Sequence, residues 1–126
     1  MKFLALAGAA GTVGTLLRYV FMRSLNHAMP GFPWGTLIIN VLGCFFAGFL
    51  FVVCRAKFPR YEAYFPVLFV GFLGAFTTFS AYALESARLL LDAQYGKFAL
   101  NLALQNGLGV LNAIAGILAA TALCRT

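Results

Sequence analysis

Gly71-Phe72-Leu73-Gly74-Ala75-Phe76-Thr77-Thr78-Phe79-Ser80-Ala81-Tyr82 lies inside a long uncharged run bounded by Glu62 and Glu85. A run of that length and apolarity reads as a membrane-spanning helix, but its residue choice is odd for a plain span. Two glycines three apart are followed by two threonines, a serine and aromatics at 76, 79 and 82. Glycine and paired β-branched threonines both disfavour a regular helix interior. In hydrocarbon a break frees backbone carbonyls that must find a partner, a cavity or an ion, and such breaks mark functional sites in transporters. The plainer reading is a small-residue face for close helix packing. Glycines alone would satisfy that reading, whereas Thr77-Thr78-Phe79-Ser80 brings polar groups that packing does not require. The expectation is a third helix broken at membrane depth.

Outward from this stretch the composition bounds the class. The 126-residue chain is 63% hydrophobic and 10% charged, too little charge for the surface of a soluble domain of this size. At ~20 apolar residues per crossing the length allows four spans with short loops. The expected spans are residues 3–21, 34–54, a third ending near Leu91, and 98–124, with no long-period repeat, hence one four-helix domain over residues 1–126. The formal charge of +6 would suggest nucleic acid in a soluble protein. Here the basic residues sit at segment ends, where they fit lipid headgroups and topology signals, so no nucleic-acid partner is expected. Cys44, Cys54 and Cys124 form no CxxC pair and read as inert thiols in apolar runs.

In the first span Gly8, Gly11 and Gly14 make a smooth stripe for a close neighbour. Arg18 is placed near its end, either snorkelling to the interface or lining an aqueous vestibule. Residues 23–33, with Asn26, His27, Pro30, Gly31 and Pro33, read as a loop. His27, the one histidine, has no companion ligand. Trp34 opens the second span as an interfacial aromatic. Thr36 and Asn40 share a face one turn apart. A near-central Asn40 is costly unless hydrogen-bonded or facing water, and both interhelical bonding and a pore role stay open. Glu85 and Arg88, three apart, suggest a local ion pair. Asp92 to Lys97 reads as a polar turn around Gly96. The fourth span, uncharged from Phe98 to Cys124, carries a polar stripe of Asn101, Gln105 and Asn112 with Asn106 beside it.

The chain has no paired carboxylates, triad or metal cluster, so enzymatic chemistry is not expected. A proton-coupled transporter keeps an ionisable residue deep in the bundle, and Glu85 is the one candidate. The other deep polar residues, Asn40, Thr77, Thr78, Ser80 and Asn106, are neutral. Neutral donors beside aromatic ring edges, which carry the positive side of the quadrupole, suit an anion.

On the Gly35-Thr36-Leu37-Ile38-Ile39-Asn40 run with Gly43, the glycine stripe with Arg18, and above all Gly71 to Ser80, the chain resembles the Fluc, or CrcB, family of fluoride channels over essentially its whole length. The resemblance implies an antiparallel, dual-topology homodimer of four-helix subunits in the bacterial inner membrane. Its activity would be passive export of F⁻ from the cytoplasm, which reduces fluoride toxicity. It also implies a central structural Na⁺, not transported, held by break-point carbonyls, which map to Gly74 and Thr77. By the same mapping Asn40, Phe79 and Tyr82 line the anion pathway, with Thr78, Ser80 and Asn106 beside them and Arg18 in a vestibule. The family commonly has phenylalanine where this chain has Tyr82. It often has a hydroxyl residue where this chain has Val110, four after Asn106. With the N-terminus inside, Lys2, Arg55, Lys57, Arg60 and Arg125 would be cytoplasmic, against Arg18, Arg23, Arg88 and Lys97 opposite. That near-balance agrees with insertion in both orientations.

Two other classes compete. A small dual-topology proton-coupled multidrug-type exporter needs a membrane-embedded acid, typically in the first helix, which here carries Arg18 instead. A purely structural membrane subunit would use the glycine faces but leave Asn40 and the Thr-Thr-Phe-Ser segment without purpose.

Overall fold

The computed structural model describes residues 1–125, and among them all regular structure is helical. Four helices are long and apolar enough to cross a membrane: Lys2–Ala28, Trp34–Lys57, Val67–Leu91 and Tyr95–Cys124. They are called the first to fourth helices below. A 3₁₀ segment, Pro59–Tyr64, joins the second to the third.

The first helix runs well beyond the expected residue 21. Residues 21–28 contain no helix breaker, so winding continues until Pro30 and Gly31, the latter at φ +93°. This corrects the reading of Arg23, Asn26 and His27 as loop residues, since all three are helical. It also moves Arg18 from a helix end to the helix interior. Asn26 then does a capping job. Pro33 precedes the second helix and has no suitable side chain, so the Gly35 amide donates to Asn26 Oδ1 (2.9 Å). A Cβ on Gly35 would fall 2.7 Å from that same oxygen, which is why the position suits glycine.

The turn between the third and fourth helices also differs from expectation. Gly96 belongs to the fourth helix, and the left-handed residue is Ala93 (φ 56°). The Gln94 amide donates back to Leu89 O (2.8 Å) across it, the closing bond of a Schellman turn. Glu85 and Arg88 do not form the expected pair. Among the described residues neither makes an ion pair, and Glu85 Oε1 instead accepts from Thr36 Oγ1 (2.6 Å). Thr36 on the second helix competes successfully because it is fully buried beside the carboxylate.

The second and fourth helices form the most extensive pairing. Glycine makes it possible: a Cβ on Gly48 would overlap Ala113 O, and one on Gly116 would overlap Phe45 O. The first helix packs on the start of the third through the same device. A Cβ on Gly71 would lie 2.8 Å from Ala7 O, and one on Gly14 would meet the Phe72 carbonyl. Gly11 is in ordinary contact with Gly71 O and Ala75, whereas Gly8 meets nothing, so the stripe is used at two of its three positions. Small residues let helix backbones approach where lipid supplies no hydrophobic drive for association.

Candidate functional site

The third helix is not one regular helix. Val67–Leu73 is π-wound, with the Gly74 amide closing back on Phe69 O. Gly74–Phe76 completes a short α segment, Thr77 (ψ 159°) and Thr78 (ψ 116°) are extended, and Phe79–Leu91 resumes as α-helix. π-Wound turns are rare and recur at functional sites.

Threonine chemistry and one asparagine hold the interruption open. Thr77 Oγ1 and the Thr77 amide both donate to Leu73 O (2.9 Å each), ending the first segment. Thr78 is the N-cap of the second segment, its Oγ1 accepting from the Ala81 amide (3.2 Å), the usual role of a hydroxyl there. Asn40 of the second helix then clamps the extended backbone. Its Oδ1 accepts from the Thr78 amide (2.9 Å) and its Nδ2 donates to Thr78 O (3.1 Å). Gly43, one turn on, leaves room for the Thr77 side chain, which any Cβ would displace. In a continuous helix the Thr78 amide would close onto Gly74 O and the Ala81 amide onto Thr77 O. Here those amides go to Asn40 and to Thr78 Oγ1, so the Gly74 and Thr77 carbonyls lose their regular helical donors.

Two cavities flank Thr78. The first, about 370 Å³, is walled by Asn40, Gly43, Cys44, Gly74, Thr77, Thr78, Phe79, Tyr82, Gln105 and Asn106 among others. The second, about 580 Å³, gathers Thr15, Arg18, Tyr19 and Arg23 of the first helix with Thr78 and Ser80. Arg18, in the interior of the first helix, lines this second cavity together with the hydroxyl pair of the break, where Thr78 Oγ1 and Ser80 Oγ share a hydrogen bond (3.1 Å).

Phe79 and Tyr82 lie on one face, their rings T-shaped at 5.4 Å, the arrangement that ring quadrupoles favour. Their surroundings differ sharply. Tyr82 is 8% exposed and Phe79 is 76% exposed in the single chain. Asn106 Nδ2 donates to Tyr82 Oη (3.0 Å) and to Leu102 O (2.8 Å).

The structure thus brings Asn40, Gly74, Thr77, Thr78, Phe79, Tyr82 and Asn106 to one cavity, and Arg18 and Ser80 to its neighbour across Thr78. A residue outside the expected set joins them. Gln105 Oε1 accepts from Asn40 Nδ2 (3.1 Å), while its Nε2 is buried without a partner among the described residues. The same seam continues through Thr36 and Glu85, then Ser86 and Asn101, where Asn101 Nδ2 donates to Ser86 Oγ (3.0 Å). The signal was in the sequence as matched spacing. Thr36 and Asn40 are four apart on the second helix, Asn101 and Gln105 four apart on the fourth, and i, i+4 residues share a face. Asn112 does not join the seam; its Nδ2 donates to Leu108 O on its own helix.

Similarity to known proteins bears on this arrangement. The profile of the family described as CrcB-like protein, Camphor Resistance (CrcB), matches residues 5–117. A protein of Desulforapulum autotrophicum named "Fluoride-specific ion channel FluC" is 41% identical over 115 residues, which covers 91% of this chain and 90% of that protein. Relatives of the same name occur in Nitratidesulfovibrio vulgaris and Solidesulfovibrio magneticus. The first is 44% identical over 101 residues (79% of this chain, 82% of that protein), the second 43% over 120 (93% and 92%). The four membrane-length helices make this a multi-pass membrane protein, and the match over residues 5–117 with close relatives along most of the chain shows that it belongs to the CrcB family.

Proposed function

We propose that the protein is a fluoride-specific ion channel that conducts F⁻ passively out of the cytoplasm and so lowers fluoride toxicity. Membership of a family whose relatives carry that name supports the activity. The structural observation that carries it is the cavity at Thr78, whose walls offer uncharged donors and aromatic rings with no acid among them. Conduction requires binding that is favourable yet weak enough for release. Hydroxyl donors replace part of a small anion's hydration, and the ring edges of Phe79 and Tyr82 add positive potential without a formal charge to trap it. Arg18, in the adjoining cavity, would raise the local anion concentration at the mouth. No enzymatic step enters this reading.

The working unit in this reading is an antiparallel, dual-topology homodimer in the bacterial inner membrane, with the break of the third helix near mid-bilayer. The near-even division of basic residues supports it, and so does the Phe79 ring, which one chain leaves bare beside the break. A structural Na⁺ fits the same place. Sodium takes hard oxygen donors, and the Gly74 and Thr77 carbonyls, deprived of their regular amides, are of that kind. Bound there, the ion would offset the partial negative charge of those two carbonyls. The proton-coupled exporter is the weaker reading, because the first helix has Arg18 and no acid, and Glu85 is tied to Thr36.

The test is fluoride efflux from liposomes holding the purified protein, followed with a fluoride electrode. Rapid fluoride efflux with chloride retained is expected. Equal release of both anions, or fluoride movement only under a proton gradient, would sink the channel reading.

A further inference from the structure

Three carboxamides line the first cavity, those of Asn40, Gln105 and Asn106, and the Gln105 Nε2, though unpartnered among the described residues, is buried. A carboxamide has two N–H groups. Both of Asn40 are engaged, to Thr78 O and Gln105 Oε1. Both of Asn106 are engaged as well, to Leu102 O and Tyr82 Oη. The two asparagines that look like natural anion ligands therefore have none free. The orientation of each amide is fixed by a backbone group, the Thr78 amide and carbonyl for Asn40 and the Leu102 carbonyl for Asn106.

Tyr82 is in the opposite condition. Its oxygen accepts from Asn106, and among the described residues its O–H donates to nothing. A phenol has one proton to give, and the acceptor side of this one is already occupied. The side chain is held in place, 8% exposed, on the wall of the cavity it shares with Phe79, Thr78 and Asn40. An accepted N–H bond also polarises the hydroxyl and makes it a better donor.

We infer that the Tyr82 hydroxyl is an anion-binding donor of this cavity, and that Asn106 is a positioning residue that aims it. The inference rests on the channel reading and adds to it a specific donor and a consequence. A channel with a phenol at this point holds its anion through one charge-assisted hydrogen bond that a phenylalanine could not make. It should therefore saturate at lower fluoride and release each ion more slowly.

The experiment measures fluoride flux against fluoride concentration in liposomes for wild type, Tyr82→Phe and Asn106→Leu, with chloride flux alongside. Loss of one hydrogen bond to a charged partner corresponds to a change of about tenfold or more in affinity. Tyr82→Phe is expected to raise the half-saturating fluoride concentration by about that factor while its maximal rate is equal or higher. Asn106→Leu should move half-saturation the same way by less, because the hydroxyl survives but is no longer aimed. A purely structural role for the Tyr82–Asn106 bond predicts lower yield of assembled protein with half-saturation unmoved. Wild-type half-saturation in both variants, or in Asn106→Leu if Tyr82→Phe does not assemble, overturns the inference while leaving a fluoride-selective wild type intact. A wild type that passes chloride as readily as fluoride removes the channel reading first, and the inference with it.

Discussion

The second helix makes two contacts of opposite character, and the contrast explains how the molecule is built. Against the fourth helix it uses shape. Gly48 sits under the Ala113 carbonyl and Gly116 under that of Phe45, so the backbones nearly touch and both helices stay regular. Against the third helix it uses hydrogen bonds. Asn40 supplies an acceptor to the Thr78 amide and a donor to the Thr78 carbonyl, and the partner backbone is extended there. Close packing keeps a helix whole, because every amide and carbonyl is already satisfied within it. An interruption exposes such groups, and only a polar side chain of the right reach can satisfy both at once. One helix thus serves as scaffold on one face and as support for the irregular segment on another.

The largest expected effect comes from breaking the shape contact. Gly116→Val would drive a side chain into the Phe45 carbonyl, where no rotamer change gives relief. Overpacking costs about 1–3 kcal/mol in well-packed cores, and backbone against backbone belongs at the top of that range. Little folded protein should survive detergent extraction and size exclusion. Gly116→Ala is expected to be recovered in part, with a lower thermal midpoint.

Breaking the polar contact should spare assembly and severely slow conduction. In Asn40→Asp the carboxylate still accepts from the Thr78 amide, but Thr78 O and Gln105 Oε1 then face oxygen instead of N–H. Both groups border the cavity, where water can replace the lost N–H, but the new negative charge stands in the anion's way. Fluoride efflux should fall by about tenfold or more in protein that still elutes as an assembled species. Near-normal efflux would remove Asn40 from the pathway.

Phe79→Ile sharpens the comparison from the third helix's side. The ring is 76% exposed in the single chain, so its replacement should cost the fold of one chain less than about 1 kcal/mol, the size of an aromatic pair term. Efflux normalised to the assembled fraction should nevertheless drop strongly, because an aliphatic side chain lacks the quadrupole. If assembled yield falls while normalised efflux is unchanged, the ring belongs to packing alone.

The smallest effect belongs to a glycine in the stripe that no neighbour uses. A Cβ on Gly8 meets nothing within 4 Å, whereas one on Gly71 lies 2.8 Å from Ala7 O. Gly8→Ala should leave the thermal midpoint unchanged or raise it slightly, by up to about 1 kcal/mol of helix propensity, and Gly71→Ala should lower it. Equal losses from both would mean that Gly8 is covered in the assembled protein.

Hydrophobicity by itself determined that this chain forms membrane-length helices, and glycine and threonine spacing marked where the third is irregular. These are local properties, since helix propensity, span length and the burial demand of an apolar run depend on neighbours in sequence. Boundaries were less legible where the signal was weak. The first helix ran on to Ala28 because polar residues on a helix flank resemble a loop when no breaker separates them. The Glu85–Arg88 pair looked local, yet Glu85 found Thr36, forty-nine positions away, because a hydroxyl packed against a carboxylate from another helix outcompetes a flexible neighbour on the same face. Asn40 was recognisable as an expensive residue, but its partners were not. Gln105 could be placed on a polar stripe whose spacing matches that of Thr36 and Asn40, but the spacing alone did not say that it faces Asn40. Which amide nitrogens are occupied and which hydroxyl proton is left over depend on atoms from three helices meeting within about 3 Å. That meeting is a property of packing, and the tertiary structure alone decided it.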